Sequence, residues 1–403
     1  MEYLLRTLSD DILRVSNSFK VLLINGARQI GKTTLLKHTA EQGRKYVTLD
    51  NPADLLLAKT DPKGFLDTYS PPVIIDEIQY APELFPYIKM LADNSDEHGL
   101  VWLTGSQQYN MMQGVTESLA GRVAIMDMYG FSIYEAEGKA GEQTPFLPSN
   151  APKNTLKNRN IAETFNVIWQ GSFPAVIHLD EKDRRNFYDS YIRTYIERDV
   201  RQLINIGNEV AFITFLKVVA ARTAQELNMD DIARSVGISH TTAKNWLSVL
   251  KASGIVYLLQ PYFKNITKRL TKTPKLYFLD TGLAAHLAGW TTPEALKTGV
   301  SAGSFFETFV IAEILKSYCH NGETPQIYFF RDERGKEIDL LIYKDGKYYP
   351  IEIKKHATPS RQDISAFNIF SKLEETGEGC EICLTSDIQP LAPNATAISV
   401  WNI

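Results

Sequence analysis

Short, unbroken apolar runs alternate along the chain with stretches of helical period. Residues 21–24, 73–75 and 100–103 are apolar at every position. That is the pattern of parallel strands buried on both faces, not of strands with one wet side. Residues 45–49 and 123–126 read as two further strands. Residues 12–18 read as a short helix ahead of the first run, and 35–40 as a helix behind it. A polar stretch opening with Asn51 and Pro52 separates the second strand from the third. Apolar residues recur at helical spacing over 161–205, broken once at Trp169 to Pro174. Two short helices follow. Ile232, Ala233 and Val236 give the first an apolar face, Gly237, Ile238 and Ser239 make the turn, and Ala243, Trp246, Leu247 and Leu250 give the second its stripe. Gly254 ends that helix and residues 255–260 begin a strand. Residues 305–318, with Glu307 and Glu313, read as an amphipathic helix. The period then changes to two on either side of Asp345-Gly346, a strong two-residue hairpin signal.

Counting back from that turn pairs Lys344 with Lys347, Leu340 with Ile351, Asp339 with Glu352 and Glu337 with Lys354. Period two then predicts one face with Glu337, Asp339, Glu352 and Lys354, and a core face with Ile338, Leu340, Ile342, Ile351 and Ile353. Carboxylates directly opposite each other repel. A divalent cation on their oxygens would compensate.

The first apolar run leads into Gly26, Ala27, Arg28, Gln29, Ile30, Gly31, Lys32, Thr33 and Thr34. Strand, glycine-bounded loop, lysine, hydroxyl and helix in this order are a phosphate-binding loop. The glycines let successive N–H groups face phosphate oxygens, and the helix adds its positive end. Lys32 is placed for the β- and γ-phosphates of ATP, and Thr33 for Mg²⁺. Asp76 ends a buried strand, where ligands sit in such sheets, and is expected to hold the ion with Thr33. Glu77 follows it and is placed to take a proton from an attacking water. Past the strand at 100–103, Ser106 or Thr104 could sense the γ-phosphate. Arg122 could steady the transferring phosphoryl group, from its own chain or from a neighbouring subunit. Arg198 is a second candidate sensor.

The 403 residues suffice for about two to four domains. A net charge of −4 means that contact with nucleic acid needs a local basic patch. Residues 261–275 offer one, with Lys264, Lys268, Arg269, Lys272 and Lys275 among aromatics. His240, Thr241, Lys244 and Asn245 point outward, as a helix reading a DNA groove requires. Cys319, Cys380 and Cys383 are few enough to suit a reducing cytoplasm. Cys380 and Cys383 have CxxC spacing but no further zinc ligands nearby, and read as small strand residues. No run reaches the roughly 18 apolar residues of a membrane span, and the first residues are not those of a signal peptide. Residues 138–160, rich in Gly, Pro, Asn and Lys, read as a linker or exposed loop.

Four stretches resemble the prokaryotic AAA-type (AAA+ superfamily) P-loop ATPases that carry a C-terminal domain of unknown function. They are GARQIGKTT from Gly26, VIIDEIQ from Val73, LTGS from Leu103 and SLAGR from Ser118. Residues 195–200 and 274–283 are also similar to family motifs. The resemblance implies a cytoplasmic ATP-binding protein and leaves room for a homo-oligomer. Asp339, Glu352 and Lys354 resemble the (D/E)…ExK pattern of restriction-endonuclease-like folds. That likeness implies Mg²⁺ on Asp339 and Glu352, the Ile353 carbonyl completing the site, Lys354 at the attacking water, and Glu307 as an additional helix carboxylate. Ile338 stands where many members have proline.

The expected architecture is α/β. A P-loop NTPase domain with a parallel sheet and helices on both faces spans 1–137. A linker and helical lid follow at 138–215, a winged helix-turn-helix at 216–300 and a restriction-endonuclease-like domain at 301–403. The expected function is a Mg²⁺-dependent ATPase acting on a nuclease-like domain directed to double-stranded DNA. The alternative is an ATP-dependent or DNA-binding switch whose nuclease-like domain is a silent scaffold.

Overall fold

A computed structural model of the protein describes residues 3–105, 118–151, 156–195, 208–264 and 272–403. Among these the strands form three sheets. The first contains β1 (Val21–Asn25), β2 (Lys45–Thr48), β3 (Val73–Asp76), β4 (Val101–Gly105) and β5 (Val123–Asp127). Its order is β2-β3-β4-β1-β5, with every pairing parallel. β4 lies between β1 and β3 in space, although β2 lies between them in sequence. Alternate residues serve two cores. Leu22, Ile24, Ile74 and Trp102 pack with Leu8, Ile12 and Leu35, while Val21, Leu23, Val73 and Ile75 pack with Phe65, Leu84 and Phe85. Burial on both faces is why these strands read as unbroken apolar runs.

The polar stretch after β2 holds two helices, Pro52–Thr60 and Pro62–Thr68. Asn51 and Asp61 cap them, each followed by proline at the first helical position. The expected exposed linker over 138–160 is corrected. Phe146, Leu147 and Leu156 are buried, and the Phe146 amide donates to Ser317 Oγ at 3.1 Å. Isolated apolar residues among Gly and Pro show no period, yet Ser317 and Tyr318 of the helix Ala302–Cys319 tie Phe146 down at both its amide and its carbonyl.

Helices Ile161–Gln170 and Glu181–Tyr195 flank the expected break. Next come helices Glu209–Ala220, Met229–Val236 and His240–Ala252. They pack with a small antiparallel sheet of β6 (Gln225–Glu226), β7 (Val256–Leu259) and β8 (Lys275–Phe278), ordered β6-β8-β7. Ala243, Trp246, Leu247 and Leu250 are buried, and His240, Thr241, Lys244 and Asn245 are exposed, as the spacing requires. The basic segment departs from expectation at both ends. Tyr262 is buried against Phe330 and Phe370, and Lys275 is buried too. Lys264 and Lys272 are exposed. Lys268 and Arg269 lie outside the described residues, as does Arg198.

The third sheet contains β9 (Gln326–Arg331), β10 (Glu337–Lys344), β11 (Lys347–Ile353), β12 (Gly379–Cys383), β13 (Gln389–Ala392) and β14 (Ala395–Ser399). Its order is β13-β14-β12-β11-β10-β9. The hairpin register is the one counted from the turn, Lys344 to Lys347 and Leu340 to Ile351. Asp345 and Gly346 have φ of 51° and 80°, as a type I′ turn demands. The predicted core face is corrected at Ile338. The β9–β10 pairing shifts between Ile338 and Leu341, so Ile338 and Leu341 join one core while Leu340, Ile342, Ile351 and Ile353 join the other. The helix Ala302–Cys319 is not amphipathic but buried nearly all round, because it lies between the first domain and this sheet. Cys380 and Cys383 are buried and free. No described helix is long and apolar enough to cross a membrane.

Candidate functional site

The carboxyl ends of β1, β3 and β4 meet at one edge of the parallel sheet. At Gly26, φ is 152° and a β-carbon would lie 2.2 Å from the Met128 carbonyl oxygen, so only glycine fits. The loop ends at Gly31, and Lys32 opens the helix Lys32–Thr39. The Lys32 ammonium is buried and donates to the carbonyls of Gly26 (2.8 Å) and Ala27 (2.7 Å). Arg28 donates to the Tyr80 hydroxyl at 2.8 Å. Asp76, at the end of β3, accepts from three hydroxyls: Thr33 at 2.8 Å, Thr104, and Tyr46 at 3.0 Å. Burial and the Asp76 charge push the Tyr46 phenol up to about 12, which keeps it a donor. Glu77 has a left-handed φ of 60°, its amide donates to Thr104 Oγ at 3.2 Å, and its carboxylate accepts from the Gln79 side chain. A non-glycine residue in that region is a strained position of the kind found at reactive sites.

Gly31 and Thr34 also wall a cavity of about 240 Å³ shared with Tyr3, His38, Pro174 and His178. The Tyr3 and His38 rings stack with centroids 3.8 Å apart. These residues come from separate segments, and no local sequence signal joins them. Thr104 is in place beside Asp76, whereas Ser106 lies outside the described residues. Arg122 requires a correction. It precedes β5 and pairs with Asp93. Val123 is in register with Val21, at the start of β1. Arg122 therefore sits at the amino end of the sheet, roughly 13 Å along the strand from the loop. It does not reach the phosphate site of its own chain.

The second cluster is built on the hairpin. The Lys354 ammonium lies against Glu352 and 3.5 Å from Asp339 Oδ2, which also accepts from the Ile353 amide at 2.9 Å. Glu352 is buried, and its Oε2 has no hydrogen-bond partner. Burial first, and then the Asp339 charge, push its carboxyl up to about 8. Glu307 reaches the cluster from the helix Ala302–Cys319 and accepts from the Tyr277 hydroxyl at 2.6 Å. Burial and Asp339 push Glu307 up to about 7. Lys275, expected on the DNA-facing wing, instead places its ammonium among Glu307 (3.2 Å), Glu337 and Asp339 (3.8 Å). The sequence hid this because β8 meets β10 only in the tertiary fold. Four carboxylates thus share two ammonium groups. The orphaned Glu352 oxygen fits a cation, while the Lys275 ammonium already covers Asp339 Oδ1.

The same helix ties this cluster to the nucleotide loop. Glu313 accepts from the Ile133 amide at 2.9 Å, and Lys316 donates to the Phe131 carbonyl at 2.9 Å and to Glu313 at 2.7 Å. His320 Nε2 accepts from the Tyr129 amide at 3.2 Å, so Nδ1 carries the proton facing Glu135, also at 3.2 Å. Arg6 bridges Glu135 and the Tyr129 carbonyl. Met128, next in line, is the residue against which Gly26 packs.

Residues 18–137 match the family described as "AAA domain". Residues 162–294 and 302–403 match two families, each described as a domain of unknown function (DUF8612 and DUF4143). The sequence match and the loop geometry together define residues 18–137 as an AAA-type P-loop ATPase domain. Uncharacterized proteins of Mycobacterium tuberculosis (Rv2008c) and Mycobacterium bovis (Mb2031c) are each 29% identical over 344 residues, covering 84% of this chain and 71% of theirs. Similar solved structures include a Walker-type ATPase of Pyrococcus abyssi, with 14% identity, a TM-score of 0.44, and coverage of 71% of this chain and 96% of that one. Another is the RuvB Holliday junction branch migration motor of Thermotoga maritima, with 16% identity, a TM-score of 0.30, and coverage of 66% and 91%.

Proposed function

We propose that the protein is a Mg²⁺-dependent ATPase whose nucleotide state is transmitted to a C-terminal domain directed at nucleic acid. The observation that carries the ATPase reading is the convergence of Lys32, Thr33, Asp76 and Thr104 at one sheet edge, around a glycine that nothing larger can replace. Lys32 supplies the cation for the β- and γ-phosphates. Thr33 and Asp76 hold the metal ion, Asp76 through water. Glu77 takes the proton of the attacking water, and Thr104 fixes Asp76 against it. Mg²⁺, when bound, neutralises charge on the phosphates. The cavity beside Thr34, with the stacked Tyr3 and His38 rings, takes the base, and residues 174–178 act as its lid. A phosphate role for Arg122 is confined to a neighbouring subunit. The test is ATP binding and turnover in three proteins. Lys32→Ala should lose both, and Glu77→Gln should bind while turning over about 10²-fold more slowly. Unchanged turnover in Glu77→Gln would remove that role.

For the nucleic-acid end, the exposed helix face of His240, Thr241, Lys244 and Asn245 supports a winged helix over 216–300. The grouping of Asp339, Glu352 and Lys354 supports a restriction-endonuclease-like domain over 301–403 in which those carboxylates hold Mg²⁺. A second reading, the silent scaffold, is favoured by Lys275, whose ammonium already occupies the space among Glu307, Glu337 and Asp339. Mn²⁺ binding lost in Asp339→Ala, together with DNA cleavage lost in Lys354→Ala, would select the first. Folded protein that binds no ion at Asp339 would select the second.

A further inference from the structure

A separate group of potential ligands lies past the end of β11. His356, Asp363 and Glu381 each offer one ligand atom, and the three atoms lie within 4.8 Å of one another. His356 Nε2 is 3.5 Å from Asp363 Oδ2, and its Nδ1 is 3.8 Å from Glu381 Oε1. Glu381 stands in the middle of β12, fully buried, and neither of its oxygens makes a hydrogen bond of good geometry, although the Ser360 backbone and the Cys383 thiol lie close enough to favour its charged form. A buried carboxylate with both oxygens unsatisfied is costly unless another group completes it. Burial first, and Asp363 second, push its carboxyl up to about 7. His356 Nδ1 is likewise buried and without a hydrogen bond. Lys354 acts on Glu381 from a distance, but its ammonium is already shared between Asp339 and Glu352.

We propose that His356, Asp363 and Glu381 form a binding site for a divalent first-row transition ion, Zn²⁺ or Mn²⁺, distinct from the Asp339–Glu352 pair. One imidazole with two carboxylates suits such ions, whereas Mg²⁺ and Ca²⁺ prefer oxygen donors and water. Bound there, the ion satisfies Glu381 and ties residues 356–363 to β12. Glu381 is in register with Glu352 on the neighbouring parallel strand, so the site borders the hairpin cluster without sharing a residue with it.

The test is metal titration of the full-length protein without nucleotide, with Zn²⁺ competed against a chromophoric chelator and Mn²⁺ followed by electron paramagnetic resonance. His356 is partly exposed, so His356→Ala should fold; Glu381→Gln is the second variant. We expect an equivalent of Zn²⁺ or Mn²⁺ whose affinity falls at least tenfold in both His356→Ala and Glu381→Gln and is retained in Asp339→Asn, separate from any second equivalent held at Asp339. Retention in His356→Ala with loss in Asp339→Asn would assign the ion to the hairpin and overturn the proposal. No binding of either ion by the wild-type protein would overturn it as well.

Discussion

Lys275 is the residue whose surroundings most change the picture. It is almost wholly enclosed, and its single charge is shared among Glu307, Glu337 and Asp339. Removing one partner of a buried charge cluster costs about 3–5 kcal/mol, because the remaining charges stay buried and unpaired. Lys275→Met should therefore lower the unfolding free energy measured in urea by that much. Adding Glu307→Gln should recover part of the loss, since one of the stranded carboxylates is gone. Equal stability of Lys275→Met and wild type would show that the cluster is already uncharged. Nothing near Lys275 in the sequence announces this partner set. The lysine reads as one of five basic residues, and its carboxylates lie far along the chain. The nucleotide residues were legible for the opposite reason. Gly26 to Thr34 are contiguous, and Asp76 and Glu77 end an apolar run that only a buried strand explains. Tyr3, His38, Pro174 and His178, which share the adjoining cavity, were not legible, because isolated residues from three segments carry no period.

Among the elements, the turn after the helix His240–Ala252 touches the phosphate loop. Gly254 has φ +67°, and a β-carbon there would lie 3.2 Å from the Ala27 nitrogen. Gly237, at the other turn, has φ +77° with nothing within 4 Å. Alanine costs about 1–2 kcal/mol in backbone strain at either position. Only Gly254→Ala pushes on the loop as well. Both variants should lose similar stability, and only Gly254→Ala should weaken binding of a fluorescent ATP analogue. Equal nucleotide affinity in the two would mean that the contact transmits nothing. The hairpin shows where element reading works and where it stops. Its register from Lys344 back to Leu340 followed from Asp345-Gly346 alone, because a two-residue turn fixes the pairs next to it; the counted pairs Asp339–Glu352 and Glu337–Lys354 lie beyond that ladder. Its faces did not, because the irregularity past Ile338 depends on β9, which the hairpin sequence does not contain. The helix Ala302–Cys319 was found in place but misjudged as amphipathic; a helix enclosed on all sides has no wet stripe to set its period.

At the scale of the molecule, Arg6, Glu135 and His320 are fully or nearly buried and join the start of the chain, the ATPase domain and the helix before β9. Burial alone would raise the Glu135 pKa, but Arg6 and His320 hold it down to about 2. Burial lowers that of His320, against the pull of Glu135. A depressed carboxylate lends stability above its unfolded value, near 4.3, and loses it as the pH falls toward 2. For Glu135 this is on the order of 3 kcal/mol. A histidine kept neutral adds a loss in the same direction below about pH 6.5. Stability should therefore fall on acidification, below about pH 6.5 through His320 and between about pH 4.3 and 2 through Glu135, and Glu135→Gln should flatten that lower part of the profile in thermal melts. The helix that these residues anchor opens the stretch matching DUF4143, residues 302–403, yet its far end is seated in the ATPase domain. Inheritance and architecture thus divide the chain differently. An exchange of coding segments at residue 302 would bring in a helix cut for another socket, facing Arg6, Ile133 and Glu135 of a stranger. Such a splice should fold only if the residues that face the helix are exchanged along with it.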